Sequence, residues 1–134
     1  MVIKIVEDLL TSLRLPDRDL SILLVDNKKI RKFNKRFFCK DIPTNVISFS
    51  YLDGLSSEVM GDIVISIDRA REEAESLSIP FHERLFALIV HGLAHILGHD
   101  HVNNKNEARR MRYREKQLLA IVTSHSLYHQ LITG

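Results

Sequence analysis

The chain has 134 residues, 45% hydrophobic and 27% charged, a length and balance that suit one folded domain over residues 1–134 and exclude a chain too charged to collapse. Nineteen Lys and Arg stand against seventeen Asp and Glu, so a net charge of +2 does not by itself argue for a nucleic-acid partner. A single cysteine, Cys39, excludes an internal disulfide framework and a cysteine-rich zinc finger.

In chain order, Val2-Ile3-Lys4-Ile5 reads as a short strand, and Glu7 to Leu15 as a helix stopped by Pro16 and Asp17-Arg18-Asp19. The opening residues carry no basic region followed by a long apolar stretch, so a reduced, cytoplasmic setting without a secretory leader is expected. Leu20-Ser21-Ile22-Leu23-Leu24-Val25 is nearly continuous in aliphatic residues, the pattern of a strand buried on both faces. Asp26 suits the N-cap of a helix in which Ile30, Phe33 and Phe37 recur at helical spacing. Val46 to Phe49 and Asp62 to Ser66 are β-branched runs separated by turn residues, hence two further strands. Ile67, Ala70, Ala74 and Leu77 make a helical stripe. Pro80 suits the first turn of a helix from Phe81 to about Leu97, apolar nearly all round and therefore central and buried. Its longest apolar run, Leu85 to Val90, is too short to span a membrane. Asn104 and Glu107 have capping-box spacing and open a last helix through Leu119 and beyond. Strands and helices mix without strict alternation. The expectation is an α+β domain, with about four strands in a small mixed sheet and about five helices over it.

Four of the seven histidines fall between His91 and His101. His91 and His95 lie four apart on the central helix, within roughly 40° of one direction and one turn apart, so they can share an ion. Gly98 can take a left-handed conformation that turns the chain back and brings His101 round as a third ligand. Three imidazoles with an open fourth position form the coordination set of a catalytic zinc, one ion per chain, at the C-terminal end of the helix. Packing histidines are the plainer alternative. Each buried imidazole nitrogen left unpaired would cost roughly 1–3 kcal/mol, however, and a shared cation satisfies all of them. His99 points off the opposite face of the turn, and Asp100 can orient an imidazole or handle a proton. His125 and His129 share the four-residue spacing without a third ligand and read as a solvated face.

The spacing His-x-x-x-His-x-x-Gly-x-x-His is also that of metzincin proteases, whose general-base glutamate follows the first histidine. That position is Gly92 here, so a zinc protease is the weaker reading.

With Gly92 in place, residues 91–101 resemble the H-G-x-x-H-x-x-G-x-D-H signature of the YbeY family. Pro43-Thr44-Asn45-Val46-Ile47-Ser48-Phe49 is similar to the family's P-T-D/N-V-L-S-F segment, and Gly61-Asp62-Ile63-Val64-Ile65-Ser66 to its G-D-I-x-I-S strand. His82-Glu83-Arg84 sits where the family helix begins. The resemblance implies a metal-dependent endoribonuclease, selective for single strands, acting in ribosomal RNA maturation at the small-subunit 3′ end and in ribosome quality control. It implies His91, His95 and His101 as zinc ligands, and RNA, ribosomes and small-subunit assembly proteins as partners. One departure is visible: Phe38 stands where the family's L-N-x-x-Y-R-x-K-D segment has an arginine implicated in activity.

Residues 26–40 hold Lys28, Lys29, Arg31, Lys32, Lys35, Arg36 and Lys40 against Asp26 alone, a local balance of +6. With Ile30, Phe33 and Phe37 on the buried face, these cations spread over the exposed faces as an RNA-phosphate surface, or as an ordinary solvated one. Arg109, Arg110, Arg112 and Arg114 add a second basic stretch. Asp100, and less directly Asp62, are the candidates for proton handling. A zinc endoribonuclease, a zinc protease and a non-catalytic, metal-containing ribosome-assembly factor are the three readings left open.

Overall fold

In the computed structural model, which describes residues 1–15, 19–51, 59–98 and 105–133, the first element is a helix and not a strand. Helix α1 covers Val2–Ser12, followed by β1 Asp19–Val25, α2 Asn27–Phe38, β2 Val46–Ser50 and β3 Val59–Ser66. Four helices complete the order: α3 Ile67–Leu77, α4 Phe81–Leu97, α5 Lys105–Thr123 and α6 Ser126–Thr133. Among the described residues there are thus three strands and six helices, an α+β arrangement with one strand fewer and one helix more than the sequence suggests. The strand is lost at the start, whereas the added helix is α6, which follows α5 as a separate element. Ile5, Val6, Leu9 and Leu10 are all buried and recur at helical spacing, so Val2 to Ile5 joins the helix that follows it. β-Branched residues are weak helix formers, but a deficit of a few tenths of a kcal/mol each is outweighed by packing against α5 and α6.

The sheet order is β1-β3-β2, with β1 parallel and β2 antiparallel to β3. Opposed pairs such as Ser48 and Ile63 face α4, and alternate pairs such as Ile47 and Val64 face α2. The larger core lies on the α4 side, where Met60, Ile63 and Ile65 meet Phe86, Ile89, Leu93 and Ile96, with α1, α5 and Tyr128 of α6 closing over them. A smaller core on the other face joins Ile30 of α2 to Ile47 and Val64. β1 is an edge strand, which corrects its reading as a fully buried one. Leu23 and Leu24 are 46% and 43% exposed, because aliphatic content alone does not report a strand's lateral position in the sheet.

Local signals account for several boundaries. Asp26 Oδ1 accepts from the Lys29 N–H at 2.7 Å and caps α2, as its residue type predicts. Ser66 caps α3 by accepting from the Arg69 N–H, while its hydroxyl donates to Asn27 Oδ1 at 2.6 Å. Pro80 is the N-cap of α4, one position before the first turn, and the helix ends at Leu97 as its apolar pattern predicts. The cap expected at Asn104 lies outside the described residues. No described helix is long and apolar enough to cross a membrane.

His125 corrects its reading as a solvated side chain. Its Nε2–H donates to Asp8 Oδ2 at 2.7 Å, and its Nδ1 accepts from the Leu127 N–H at 3.1 Å, a consistent pair of roles for one neutral tautomer. Lys4 Nζ binds the other Asp8 oxygen at 3.0 Å. His129 stays exposed.

Two close approaches fix α4 on the sheet. Gly92 is buried, and a methyl group there would stand 2.9 Å from Ile63 Cγ2, closer than carbon atoms pack. Gly61 of β3 lies against Ile96, where an added Cβ would meet the Ile96 Cδ1 at 2.7 Å and the Phe49 carbonyl. Gly92→Ala should therefore lower the unfolding free energy by about 1–3 kcal/mol, measured by denaturant titration. The His125 and Lys4 partners hold the Asp8 carboxyl below its ordinary value, so its stabilising share exists above that value and fades as pH falls through the folded one. Asp8→Asn should melt earlier than wild type at pH 7, with the difference shrinking as pH falls below the ordinary carboxylate range in thermal scans across pH.

Candidate metal centre

The buried face of α4 is set by Leu85, Ile89, Leu93 and Ile96, which leaves His91 and His95 to project together from another side of the helix. Their Nε2 atoms stand 3.2 Å apart, with ring centroids 4.5 Å apart and planes at 70°. Two nitrogen donors on one tetrahedral ion at about 2.0–2.1 Å would themselves be roughly 3.3–3.4 Å apart. The separation of the pair matches that of two donors on one cation. The His91 Nδ1–H donates to Glu115 Oε1 of α5 at 2.8 Å, which puts the proton on Nδ1 and leaves a lone pair on Nε2 facing His95. Partial burial, and the neighbouring His91, hold the His95 imidazole below the ordinary histidine value, while Glu115 pulls the other way. At neutral pH this favours the uncharged ring that coordinates metals.

His101, the third expected ligand, lies outside the described residues, as do His99 and Asp100. Among the described residues no group of three His, Cys, Asp or Glu side chains gathers to hold an ion. Gly98 does not adopt the left-handed conformation expected of it: its φ is −112° and ψ 19°. A Cβ there would come within 2.8 Å of Met111 Cε, the mobile end of a side chain from α5.

The histidines open into a groove of about 430 Å³ along the outer edge of β2. Val46, Ile47 and Ser48 form its floor, His91, Gly92 and His95 one wall, and Asn34, Phe38, Lys40, Thr44 and Asn45 the other. Two amides hold that second wall. Asn34, 5% exposed, donates from Nδ2 to the Ile42 carbonyl at 3.0 Å and ties the 39–45 segment to α2. Asn45 Nδ2 reaches Glu73 at 3.3 Å, and Glu73 is fixed by Arg84 Nε at 2.9 Å. Cys39, with φ 57° and ψ 30°, ends α2 and turns the chain so that Lys40 faces the groove.

Of the seven basic residues, all are exposed, and Lys40 lines the histidine groove. Arg31 is committed to Asp41 at 2.8 Å. Lys28, Lys29, Lys32, Lys35 and Arg36 spread over the water-facing side of α2. Arg109, Arg110, Arg112 and Arg114 are exposed on α5. Asp62 belongs to the opposite face of the sheet, where its Oδ2 accepts from the Tyr51 hydroxyl at 2.6 Å, which removes it as a proton handler at the histidines.

Glu115 and Asn34 escaped the sequence reading. Glu115 lies 24 residues from His91, and no spacing rule links them. Asn34 follows Ile30 by four on the buried stripe of a basic helix, a polar residue at a core position and thus a recoverable signal. Because a carboxylate that fixes a ligand's tautomer commonly carries 10–100-fold in metal affinity, Glu115→Ala should weaken divalent-metal binding by that factor in a chelator competition.

The chain is similar to known proteins over most of its length. A family model described as Endoribonuclease YbeY matches residues 1–123. An endoribonuclease YbeY of Geobacter metallireducens is 40% identical over 129 residues, covering 92% of this chain and 86% of the relative. One from Carboxydothermus hydrogenoformans is 43% identical over 100 residues, covering 75% and 69%. A solution structure of a Thermotoga maritima protein superposes with a TM-score of 0.64 at 22% identity, over 89% of this chain and 77% of that one, a likeness of fold. With its histidine pair, its edge-strand groove and this extent of match, the chain belongs to the YbeY endoribonuclease family.

Proposed function

We propose that the chain is a zinc-dependent endoribonuclease that cuts single-stranded RNA during maturation of small-subunit ribosomal RNA in the cytoplasm, working beside ribosomal assembly proteins. The observation that carries this reading is the 3.2 Å convergence of the His91 and His95 Nε2 atoms in a groove whose wall holds Lys40 and, among the described residues, no carboxylate. His91, His95 and His101 would hold the ion, and imidazole donors suit zinc. A cation held there supplies Lewis-acid polarisation of a phosphate oxygen and a lowered pKa for water.

The protein's own groups do the rest. Glu115 keeps the His91 proton on Nδ1, so its Nε2 stays a donor. Lys40 meets the phosphate in the groove and offsets charge developing on its oxygens. Asn34, Asn45 and Ser48 offer neutral polar groups along the same walls. The exposed cations of α2 gather RNA from solution through phosphate contacts, an attraction that weakens as salt rises. Asp100, adjacent to His101, is assigned the proton that leaves the attacking group. A protease would need a side chain where Gly92 touches Ile63, and the packing leaves no room for one.

His95→Ala should abolish both stoichiometric zinc, read by elemental analysis, and chelator-sensitive cutting of a short single-stranded RNA. Retention of either would overturn this ligand set. Charge reversal at Lys32 and Lys35 should raise the Kd for RNA by roughly tenfold or more at low salt and flatten its salt dependence, read by fluorescence anisotropy.

A further inference from the structure

Four of the six phenylalanines gather where α2 meets β2. Phe33 and Phe37 stack at 6.2 Å, Phe37 meets Phe49 edge-on at 5.1 Å, and Phe38 stacks on Phe49 at 6.0 Å with planes 21° apart. Phe33 and Phe49 belong to the smaller core, whereas Phe37 and Phe38 remain 50% and 46% exposed. Phe38 also lines the histidine groove, so this half-exposed ring borders the same space as His91 and His95.

We propose that Phe38, backed by Phe49, is a stacking platform for one base of a single-stranded RNA lying in the histidine groove. This rests on the endoribonuclease reading and adds a subsite to it. The surroundings select the occupant. Lys40 lines the groove with the ring, and Lys35 and Arg36 are exposed on the last turn of α2. The Arg36 guanidinium stands 5.3 Å from the neighbouring Phe37 centroid, and among the described residues no carboxylate lines the groove. A flat π-system carried on a phosphate chain satisfies both the ring and the cations, whereas an apolar peptide would leave the cations unmatched. Phe38 is the last residue of α2, and the left-handed turn at Cys39 sends the chain on to Lys40, so ring and ammonium lie two residues apart on one wall. Base contact and phosphate contact thereby fall on neighbouring parts of one nucleotide strand.

The test uses the full chain and a single-stranded RNA hexamer in which 2-aminopurine, or an abasic residue, is walked through each position. Wild type should quench 2-aminopurine at one position, and removing that base should cost about tenfold in affinity. Phe38→Leu, which keeps apolar volume but loses the π-face, should lose the quench, bind about tenfold more weakly and become insensitive to the abasic site; Phe38→Tyr should restore all three. Unchanged quench and affinity in Phe38→Leu, with salt-dependent RNA binding intact, would overturn the platform and leave the nuclease reading standing. A wild type that binds no RNA at low salt would overturn both. A change in oligomeric mass on Phe38→Leu with unaltered RNA affinity would assign the ring to a contact between copies of this chain and overturn the platform.

Discussion

The position of the histidines depends on how closely α4 lies on the sheet. Ile63 of β3 occupies the space where Gly92 would carry a side chain, and Ile96 presses on Gly61 in the same way. Ser50 adds a hydrogen bond from Oγ to the Ile96 carbonyl at 3.2 Å. These contacts set helix and strand at a separation that glycine alone permits, and they fix the rotation of α4 about its axis. Because His91 precedes Gly92 and His95 follows it by three, anchoring that face aims both imidazoles past the edge of β2. A rigid core helix therefore supplies donors with little freedom to drift apart, as a coordination site requires.

Around that anchor the protein places its charges with economy. Glu115 is the acidic group hydrogen-bonded to the pair, and it meets Nδ1 of His91, on the far side of the ring from the Nε2 that faces His95. Negative charge thus polarises the ligand without occupying the groove. Glu73 acts similarly at the other end, holding Asn45 and Arg84. Among its described lining residues the groove is left neutral or positive.

Much of this was legible in the chain, for reasons that also mark the limits. The apolar run of α4 and the four-residue spacing of its histidines are local periodicities, and local periodicity survives folding. Asp26 as a cap is local too, and the structure realises it. The starting strand failed because Val2 to Ile5 satisfies both a two-residue and a helical pattern, and packing on α5 and α6 decides between them. The aliphatic run of β1 suggests a strand buried on both faces, but aliphatic residues line both sides of this edge strand as well. The glycine at 98 suggests a left-handed turn, but residue type alone does not fix the backbone angles, and Gly98 adopts φ −112°. Glu115 and the His125–Asp8 contact, spanning 24 and 117 residues, arise from the tertiary arrangement and have no signature in spacing.

The missing carboxylate beside the first histidine gains its meaning from packing. In the protease pattern that residue activates water against an uncharged amide, where a nearby negative charge costs little. Against a phosphodiester, which already carries a negative charge, a carboxylate in the same place would repel the substrate before it assisted the attack. At Gly92 the two demands coincide: the helix must touch Ile63 to hold the histidines in place, and the same contact disfavours a carboxylate at this position. One glycine therefore serves the fold and the electrostatics together, so restoring a glutamate would disturb the donor geometry as well as the charge.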